Sequence, residues 1–193
     1  MKMIRKIGFF SLLVAAAAFA QNAGAIPVGG VLYESYSGTF DTGFGLALVD
    51  CEVYEYTSGE FIYTYQIFNN STIGFSFFSV GIPEGADAWS PSVDSDPITG
   101  WVDPVFWTVA GSPVQSVDYL FADTIDYAET SALLWFVSSH PSNPGLGTLF
   151  GRNVSTTGEV LTPVPEPATF VLLGTAGIWI LTRKRRSALK NKN

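Results

Sequence analysis

The sequence has one cysteine and one histidine among its 193 residues. A single cysteine excludes an intrachain disulfide, and one cysteine with one distant histidine is too few for a zinc site. We expect Cys51 to be buried as a small hydrophobic residue, because Val49, Cys51 and Val53 would share one strand face. Since no nucleophile-elbow motif accompanies His140, we expect a solvated loop residue there and not a catalytic base.

Basic residues are missing from the middle of the chain. All but one of the 17 acidic residues lie between positions 26 and 163, where Arg152 is the only basic residue. Such an acidic surface repels phosphate backbones, so we expect no nucleic-acid partner. The segment is nevertheless rich in aromatic and β-branched residues, and this composition predicts a folded domain and not an acidic disordered tail. Nothing in the sequence calls for a cofactor.

The N-terminus has the organisation of a secretory signal peptide. Lys2, Arg5 and Lys6 precede an apolar run over 7–20. Small residues follow, and they favour cleavage by signal peptidase after Ala25, or alternatively after Ala20. We therefore assign residues 1–25 to a signal peptide and expect signal peptidase and the export machinery as partners. An uncleaved membrane anchor is the alternative interpretation.

The C-terminus combines three features in order. Val164, Pro165, Glu166 and Pro167 form an extended, donor-poor segment, because proline lacks the backbone N–H and restricts its neighbours. An apolar stretch follows over about 168–182, and as a helix it would span only about 22 Å of a hydrocarbon core of about 30 Å. The stretch stops at four consecutive cations, Arg183, Lys184, Arg185 and Arg186. The positive-inside rule places the basic tail, 183–193, in the cytoplasm and the acidic domain outside.

This combination over 164–188 resembles the PEP-CTERM sorting signal. The resemblance implies that an exosortase, a membrane-embedded transpeptidase-like enzyme of Gram-negative bacteria that also make exopolysaccharide, processes the chain at Val164–Pro167. Transient anchoring in the inner membrane and final delivery to the cell surface or matrix follow from it. A proline-rich spacer ahead of a simple tail anchor is the alternative.

Residues 26–152 alternate apolar and polar side chains with a period of two, and turn residues separate the alternating segments. This pattern predicts eight strands, over 31–36, 45–56, 60–68, 73–80, 105–110, 117–122, 131–138 and 148–152. Many short strands indicate an all-β antiparallel β-sandwich ectodomain, of jelly-roll or immunoglobulin-like type. Residues 153–163 are rich in Ser, Thr and Gly, and we expect a flexible linker there. We also expect acidic side chains to discourage pairing at the sheet edges.

Few side chains in this region suggest chemistry. Asp87, Asp94 and Asp96 are calcium candidates, although the EF-hand pattern is absent and a solvated acidic loop is the simpler interpretation. Four tryptophans either form a sugar-stacking platform or are buried in the sandwich: Trp89, Trp101, Trp107 and Trp135. Asn69, Asn70 and Asn153 each begin an Asn-x-Ser/Thr sequon.

Two functions are consistent with these features. The first is a non-catalytic exported protein of the cell surface or the exopolysaccharide-associated matrix. The second is a surface-sorted module that binds or hydrolyses carbohydrate, for which an acidic β-fold could also supply paired carboxylates. A plain inner-membrane protein facing the periplasm, with its C-terminal anchor kept, is a further possibility.

Overall fold

The structure is a computed structural model that describes residues 29–94, 101–111 and 115–165. These residues form no helix and ten strands: β1 Val31–Asp41, β2 Gly45–Glu55, β3 Phe61–Ser71, β4 Phe75–Gly81, β5 Trp89–Asp94, β6 Pro104–Ala110, β7 Ser116–Ile125, β8 Leu133–Ser138, β9 Ser142–Gly151 and β10 Val154–Pro163. The all-β class predicted from the alternating pattern is confirmed.

The strands form two five-stranded sheets. The first has the order β1-β2-β3-β8-β5, and the second has the order β10-β9-β4-β7-β6. All the strand pairs are antiparallel. Several consecutive strands lie in different sheets, so the chain crosses repeatedly between the two.

One hydrophobic core lies between the two sheets. Tyr63, Tyr65 and Phe136 from the first sheet and Phe78 and Tyr119 from the second are all 0% exposed. The ring of Tyr65 lies 5.7 Å, centroid to centroid, from that of Phe78. Burying side chains of this size removes much apolar surface from water and makes the largest favourable contribution to folding. The two sheets are therefore held face to face, in a sandwich-like arrangement.

Buried tyrosines also tie the two sheets together through their hydroxyl groups. The Tyr65 hydroxyl on β3 donates to the carbonyl of Leu161 on β10 at 2.6 Å, and the Tyr119 hydroxyl on β7 donates to the carbonyl of Trp135 on β8 at 2.9 Å. Burial raises the pKa of both phenols well above the ordinary value, so both remain protonated donors at neutral pH.

All eight predicted strands are present, with different ends. The alternation in β3 places Phe61, Tyr63, Tyr65 and Ile67 in the core, as their spacing predicts. Cys51 is 1% exposed, so the prediction that it is buried is confirmed. β1, β3 and β9 extend beyond their predicted ranges, since cross-strand pairing continues through residues whose composition resembles that of a turn.

The prediction of a flexible linker over 153–163 is wrong, because residues 154–163 form β10. Every residue of β10 pairs with β9, from Val154 with Gly151 to Pro163 with Ser142. Asn153 has a φ of 62° in the short turn between these strands, a conformation that asparagine tolerates better than most residues. The small polar residues that suggested a linker are compatible with this strand, and its C-terminal half is buried.

The predicted solvated acidic loop over 87–96 is also partly wrong, because residues 89–94 form the edge strand β5. Its pairing with β8 shifts in register between Trp89 and Ser92, where Ser90 has a φ of 50°. This bulge and Pro91 interrupt the alternation on which strand prediction depends.

The two predicted terminal segments lie outside the described residues: the signal peptide with its cleavage sites at Ala20 or Ala25, and the apolar stretch 168–182 with Arg183, Lys184, Arg185 and Arg186. Within the described ranges, no helix is long and apolar enough to cross a membrane.

Candidate functional site

The start of β1 and the end of β10 lie at the same end of the two sheets. The register connects Val31 to Glu55, Glu55 to Phe61 and Phe61 to Ser138. Ser138 is followed closely in the chain by Ser142, which pairs with Pro163. We call this end, where β1 begins and β10 ends, the terminal pole.

The predicted processing motif begins at the terminal pole, directly after β10. The backbone N–H of Val164 donates to the carbonyl of Pro141 at 3.0 Å. Pro165 packs against Gly85: a Cβ atom added at Gly85 would lie 3.3 Å from Cγ of Pro165. Val164 and Pro165 are both half-buried, whereas Glu166 and Pro167 lie outside the described residues. The first half of the motif is therefore held against the folded domain.

A hydrogen-bonded cluster around the Asp87 carboxylate occupies the same pole. Its Oδ2 accepts from the Ser139 hydroxyl at 2.6 Å, and its Oδ1 accepts from the Ser139 N–H at 2.9 Å and the Ser138 hydroxyl at 2.8 Å. His140 Nδ1 lies 3.0 Å from the same Oδ1. Burial raises the pKa of Asp87, but the hydrogen bonds from Ser139, His140 and Ser138 outweigh this effect and lower it to about 2. Asp87 is therefore ionised at neutral pH.

The cluster has the residue types of a catalytic triad without its arrangement. In a triad, one ring nitrogen of histidine contacts the carboxylate and the other contacts the nucleophile. Here Asp87 Oδ1 at 3.0 Å and Ser139 Oγ at 3.2 Å both approach Nδ1 of His140. The Ser139 hydroxyl, moreover, donates to Asp87. His140 lies in the loop after β8, as expected, but its side chain is only 23% exposed and contacts Asp87, so it is less solvated than expected. The cluster ties this loop to the residues before β5.

An acidic cleft lies at the opposite end of the sheets. It has a volume of about 610 Å3, and its lining includes one tryptophan and four carboxylates: Trp101, Asp103, Asp123, Asp126 and Glu129. Two of the carboxylates already accept hydrogen bonds, Asp126 from the Thr124 hydroxyl and Glu129 from the Asp126 N–H, each at 2.7 Å. The negative charge of the cleft disfavours the binding of anionic ligands, whereas hydroxyl-rich or cationic ligands are compatible with it.

The calcium candidates are not brought together. Asp87 bonds to Ser138 and Ser139, whereas Asp94 pairs with Leu133 at the other end of β8. Five residues of strand separate these positions by about 17 Å. Asp96 lies outside the described residues. Across the ranges that the structure describes, no three His, Cys, Asp or Glu side chains form a group that could hold a metal ion.

The four tryptophans form neither one platform nor part of the core. All are partly exposed. Trp89 pairs with Val137, two residues beyond Trp135 on β8, so Trp89 and Trp135 are diagonal neighbours on the outer face of the first sheet. Trp101 lines the acidic cleft, and Trp107 lies on the edge strand β6.

The three sequons differ in accessibility. Asn69 is 1% exposed, and its side-chain amide donates to the carbonyls of Ile73 and Ile125, each at 2.7 Å. Asn69 therefore stabilises the loop between β3 and β4 and is not available for glycosylation in the folded domain. Asn70 and Asn153 are exposed.

The sequence alone does not predict the Asp87 cluster or the acidic cleft. The carboxylate of Asp87 meets its partners 51 to 53 positions along the chain, and the cleft joins residues from both sides of β7. A short sequence motif cannot predict these contacts, because they depend on the register in which distant strands pair.

Comparison with protein-family models, with curated proteins and with solved structures found no match to this chain. Any functional conclusion therefore depends on the residues and geometry of the chain itself.

Proposed function

We propose that this chain is a non-catalytic exported protein of the cell surface or extracellular matrix, processed at Val164–Pro167 by an exosortase-like enzyme. The C-terminal succession of a proline-rich motif, a short apolar stretch and a basic cluster carries the proposal. A stretch of 15 residues over 168–182 is a poor permanent anchor, because it is shorter than the hydrocarbon core is thick. Such a short anchor suits a segment that holds the chain at the membrane only until the processing enzyme removes it.

The geometry of the terminal pole supports this proposal. Pro165 lies against the folded domain, so Glu166 and Pro167 follow within the span of two residues, about 7 Å. An enzyme acting there would approach the domain closely, from the side of the membrane. The start of β1 lies at the same pole, so both predicted membrane-directed ends would leave the domain toward one side.

The distribution of charge is consistent with this orientation. The positive-inside rule would retain Arg183–Arg186 in the cytoplasm and leave the acidic domain in the periplasm until processing. The acidic cleft, at the end opposite the terminal pole, would then face away from the membrane. Exopolysaccharide is the proposed partner of the processed protein.

Mass spectrometry of the mature protein from its host tests the proposal. We expect loss of the segment C-terminal to the motif only in cells with an active exosortase. An intact 183–193 tail in the final product would overturn the processing step.

Recognition of Glu166 is tested separately. Glu166→Ala should slow processing if this carboxylate contacts the enzyme. Glu84→Ala, which removes an exposed carboxylate in the loop at the same pole, should be processed at the normal rate. Equal rates in both variants would exclude a role for Glu166.

For the fold we infer the immunoglobulin-like one of the two predicted sandwich architectures. The order β2-β3-β8-β5 corresponds to strands A-B-E-D of a constant-type domain, and β4, β9 and β10 correspond to C, F and G. β1 then extends one edge, and the β6–β7 hairpin is inserted between D and E.

Carbohydrate binding is the second candidate function. The observation that favours it is the partly exposed pair Trp89 and Trp135 on one outer sheet face, since indole rings stack on the apolar faces of sugars. A glycan-array signal that disappears in Trp89→Ala and Trp135→Ala but persists in Trp107→Ala would support this function. A signal unaffected by either substitution would exclude this face.

A further inference from the structure

Two loops of the domain hold the start of the processing motif at the terminal pole. Val164 donates its N–H to the carbonyl of Pro141, in the loop between β8 and β9. Pro165 packs against Gly85, in the loop between β4 and β5. The motif therefore begins where two loops that are distant in the sequence come together. How firmly it is held depends on what fixes these loops relative to each other.

The Asp87 carboxylate joins the two loops. Asp87 lies two residues after Gly85 in one loop. Its oxygens accept the hydroxyls of Ser138 and Ser139 and the N–H of Ser139, and Nδ1 of His140 lies 3.0 Å from Oδ1. Hydrogen bonds to an ionised carboxylate are about twice as strong as those between neutral groups. Since His140 directly precedes the carbonyl that accepts the motif, the cluster fixes both contacts of the motif at once.

The core and β1 hold the second loop in place. The hydroxyl of the buried Tyr63 donates to the carbonyl of His140 at 2.8 Å. Burial raises the pKa of this phenol above its ordinary value, so it remains a donor at neutral pH. The Ser142 hydroxyl, at the start of β9, donates to Glu34 on β1. The cluster is thus attached to a rigid part of the domain.

The strand that leads into the motif is held on both sides. All residues of β10 pair with β9. On its other side, the Tyr36 hydroxyl on β1 donates to Glu159 at 2.9 Å, and the Thr156 hydroxyl donates to the carbonyl of Asp41 on β1 at 2.8 Å. The chain therefore enters the motif from a fixed strand, and β10 and the two loops together position Val164.

We propose that the Asp87 cluster is a clamp that holds Val164 and Pro165 on the domain, so that the processing enzyme engages the chain from Glu166 onward. Enzymes that take extended peptides commonly pair with their backbone. The N–H of Val164 is already bonded to the domain, and proline has none, so the next backbone N–H is that of Glu166. Asp87 is a positioning residue, because it acts through the two loops and not on the scissile bond. The consequence for cleavage rests on the proposed processing, whereas the clamp itself does not.

The charge of the pole favours the same division of the motif. Glu34, Glu84 and Asp87 lie at this pole. Among the residues that the structure describes, Arg152 is the single Lys or Arg, and it lies in the turn at the opposite end of β10. The domain therefore offers Glu166 no lysine or arginine here, and repulsion by the acidic pole favours its presentation to a cationic pocket of the enzyme.

Hydrogen–deuterium exchange of the full chain in detergent, read by mass spectrometry, tests the clamp. Val164 and Glu166 alternate with prolines, so they give the only backbone exchange signal of this stretch. In Asp87→Asn, Val164 should exchange about fivefold faster than in the wild type, because the bonds to the carboxylate are weakened. Asp50→Asn is the matched control. Asp50 accepts the Ser37 hydroxyl at 2.6 Å in the middle of β2, away from the pole, and its loss should leave Val164 unchanged.

A core variant separates the clamp from the stability of the whole domain. Ile67 is 0% exposed on β3, so Ile67→Val should speed exchange in β3 through global unfolding and leave Val164 unchanged. Ser139→Ala removes one donor to Asp87 and should speed Val164 exchange less than Asp87→Asn does. Val164 exchange that is unchanged in Asp87→Asn, or that follows β3 in Ile67→Val, overturns the clamp.

The end of the mature chain tests the positioning role. In cells with an active exosortase, the wild-type product should end at Pro165 or later, and Asp87→Asn should add products that end before Pro165. A wild-type product that ends before Pro165 would overturn the proposal. A single wild-type end in Asp87→Asn, with Val164 exchange accelerated, would reduce Asp87 to a structural role. If every variant keeps its tail, the proposed processing fails, and the exchange data decide the clamp separately.

Discussion

Replacing Leu161 by alanine tests whether β10 is an integral strand or a linker that only touches the domain. Leu161 is 1% exposed, and its carbonyl accepts the hydroxyl of the buried Tyr65. Truncation of a buried leucine to alanine costs about 2–5 kcal/mol, through lost transfer free energy and the cavity that remains. For a domain of this size, the cost lowers the melting temperature by roughly 6–15 °C. If residues 154–163 were a linker, the melting temperature would not change.

The matched control is Leu146→Ala on the adjacent strand β9. Leu146 is 65% exposed, so we expect its loss to change stability by no more than about 0.5 kcal/mol. Both variants are compared with the wild type by thermal and urea unfolding, followed by tryptophan fluorescence. Melting of Leu161→Ala within 1–2 °C (about the measurement error) of Leu146→Ala would refute the assignment of β10 to the core.

Three further predictions concern single side chains. Tyr65→Phe should destabilise the domain by about 1–2 kcal/mol in urea unfolding, because the Leu161 carbonyl loses a buried donor; a loss of only a few tenths would mean that water replaces the hydroxyl. The pKa of Asp87 is lowered from 3.8 to about 2, so its contribution is present above pH 4 and disappears as the pH falls through about 2. Because 43% of its side chain is exposed, we expect a loss of about 1 kcal/mol or less on acidification, and Asp87→Asn should lack this loss; identical pH profiles would contradict it. Burial raises the pKa of the Cys51 thiol to about 12, so at pH 8 a thiol reagent should modify it slowly in the folded protein and rapidly in urea, and equal rates would contradict burial.

The strands predicted from the sequence are those whose alternation reflects a single buried face. β3 is the clearest case, because Tyr63, Tyr65 and Ile67 are large and recur at every second position. β10 escaped prediction because its buried residues include Thr156 and Thr162, whose polarity hides the pattern. Small polar residues are compatible with both a linker and a strand, and only pairing with β9 distinguishes the two.

The candidate sites depend on contacts that no local pattern encodes. From the sequence, Asp87 is expected to be a solvated carboxylate. In the structure, the fold brings Ser139 and His140 into contact with it. The acidic cleft is likewise not predictable from the sequence, because Trp101 and Glu129 line it together only once the sheets have formed. The charged residues are evident from the sequence, whereas their neighbours depend on the sheet topology.

The contact between β1 and β10 also has a consequence for how the domain is made. Tyr36 on β1 and Glu159 on β10 form a hydrogen bond although they are 123 positions apart in the sequence. The edge of β1 is therefore covered only after β10 has been synthesised. Long-range closure of this kind is slow, because the entropy of the intervening chain is lost before the contact forms. A chain that stalls or is cut before β10 would leave the edge of β9 unpaired and would remove the contacts of β10 with β1. The two sheets are therefore complete only after residues 154–163, directly before Val164, have been synthesised. The folding of β10 thus depends on synthesis of nearly the whole domain.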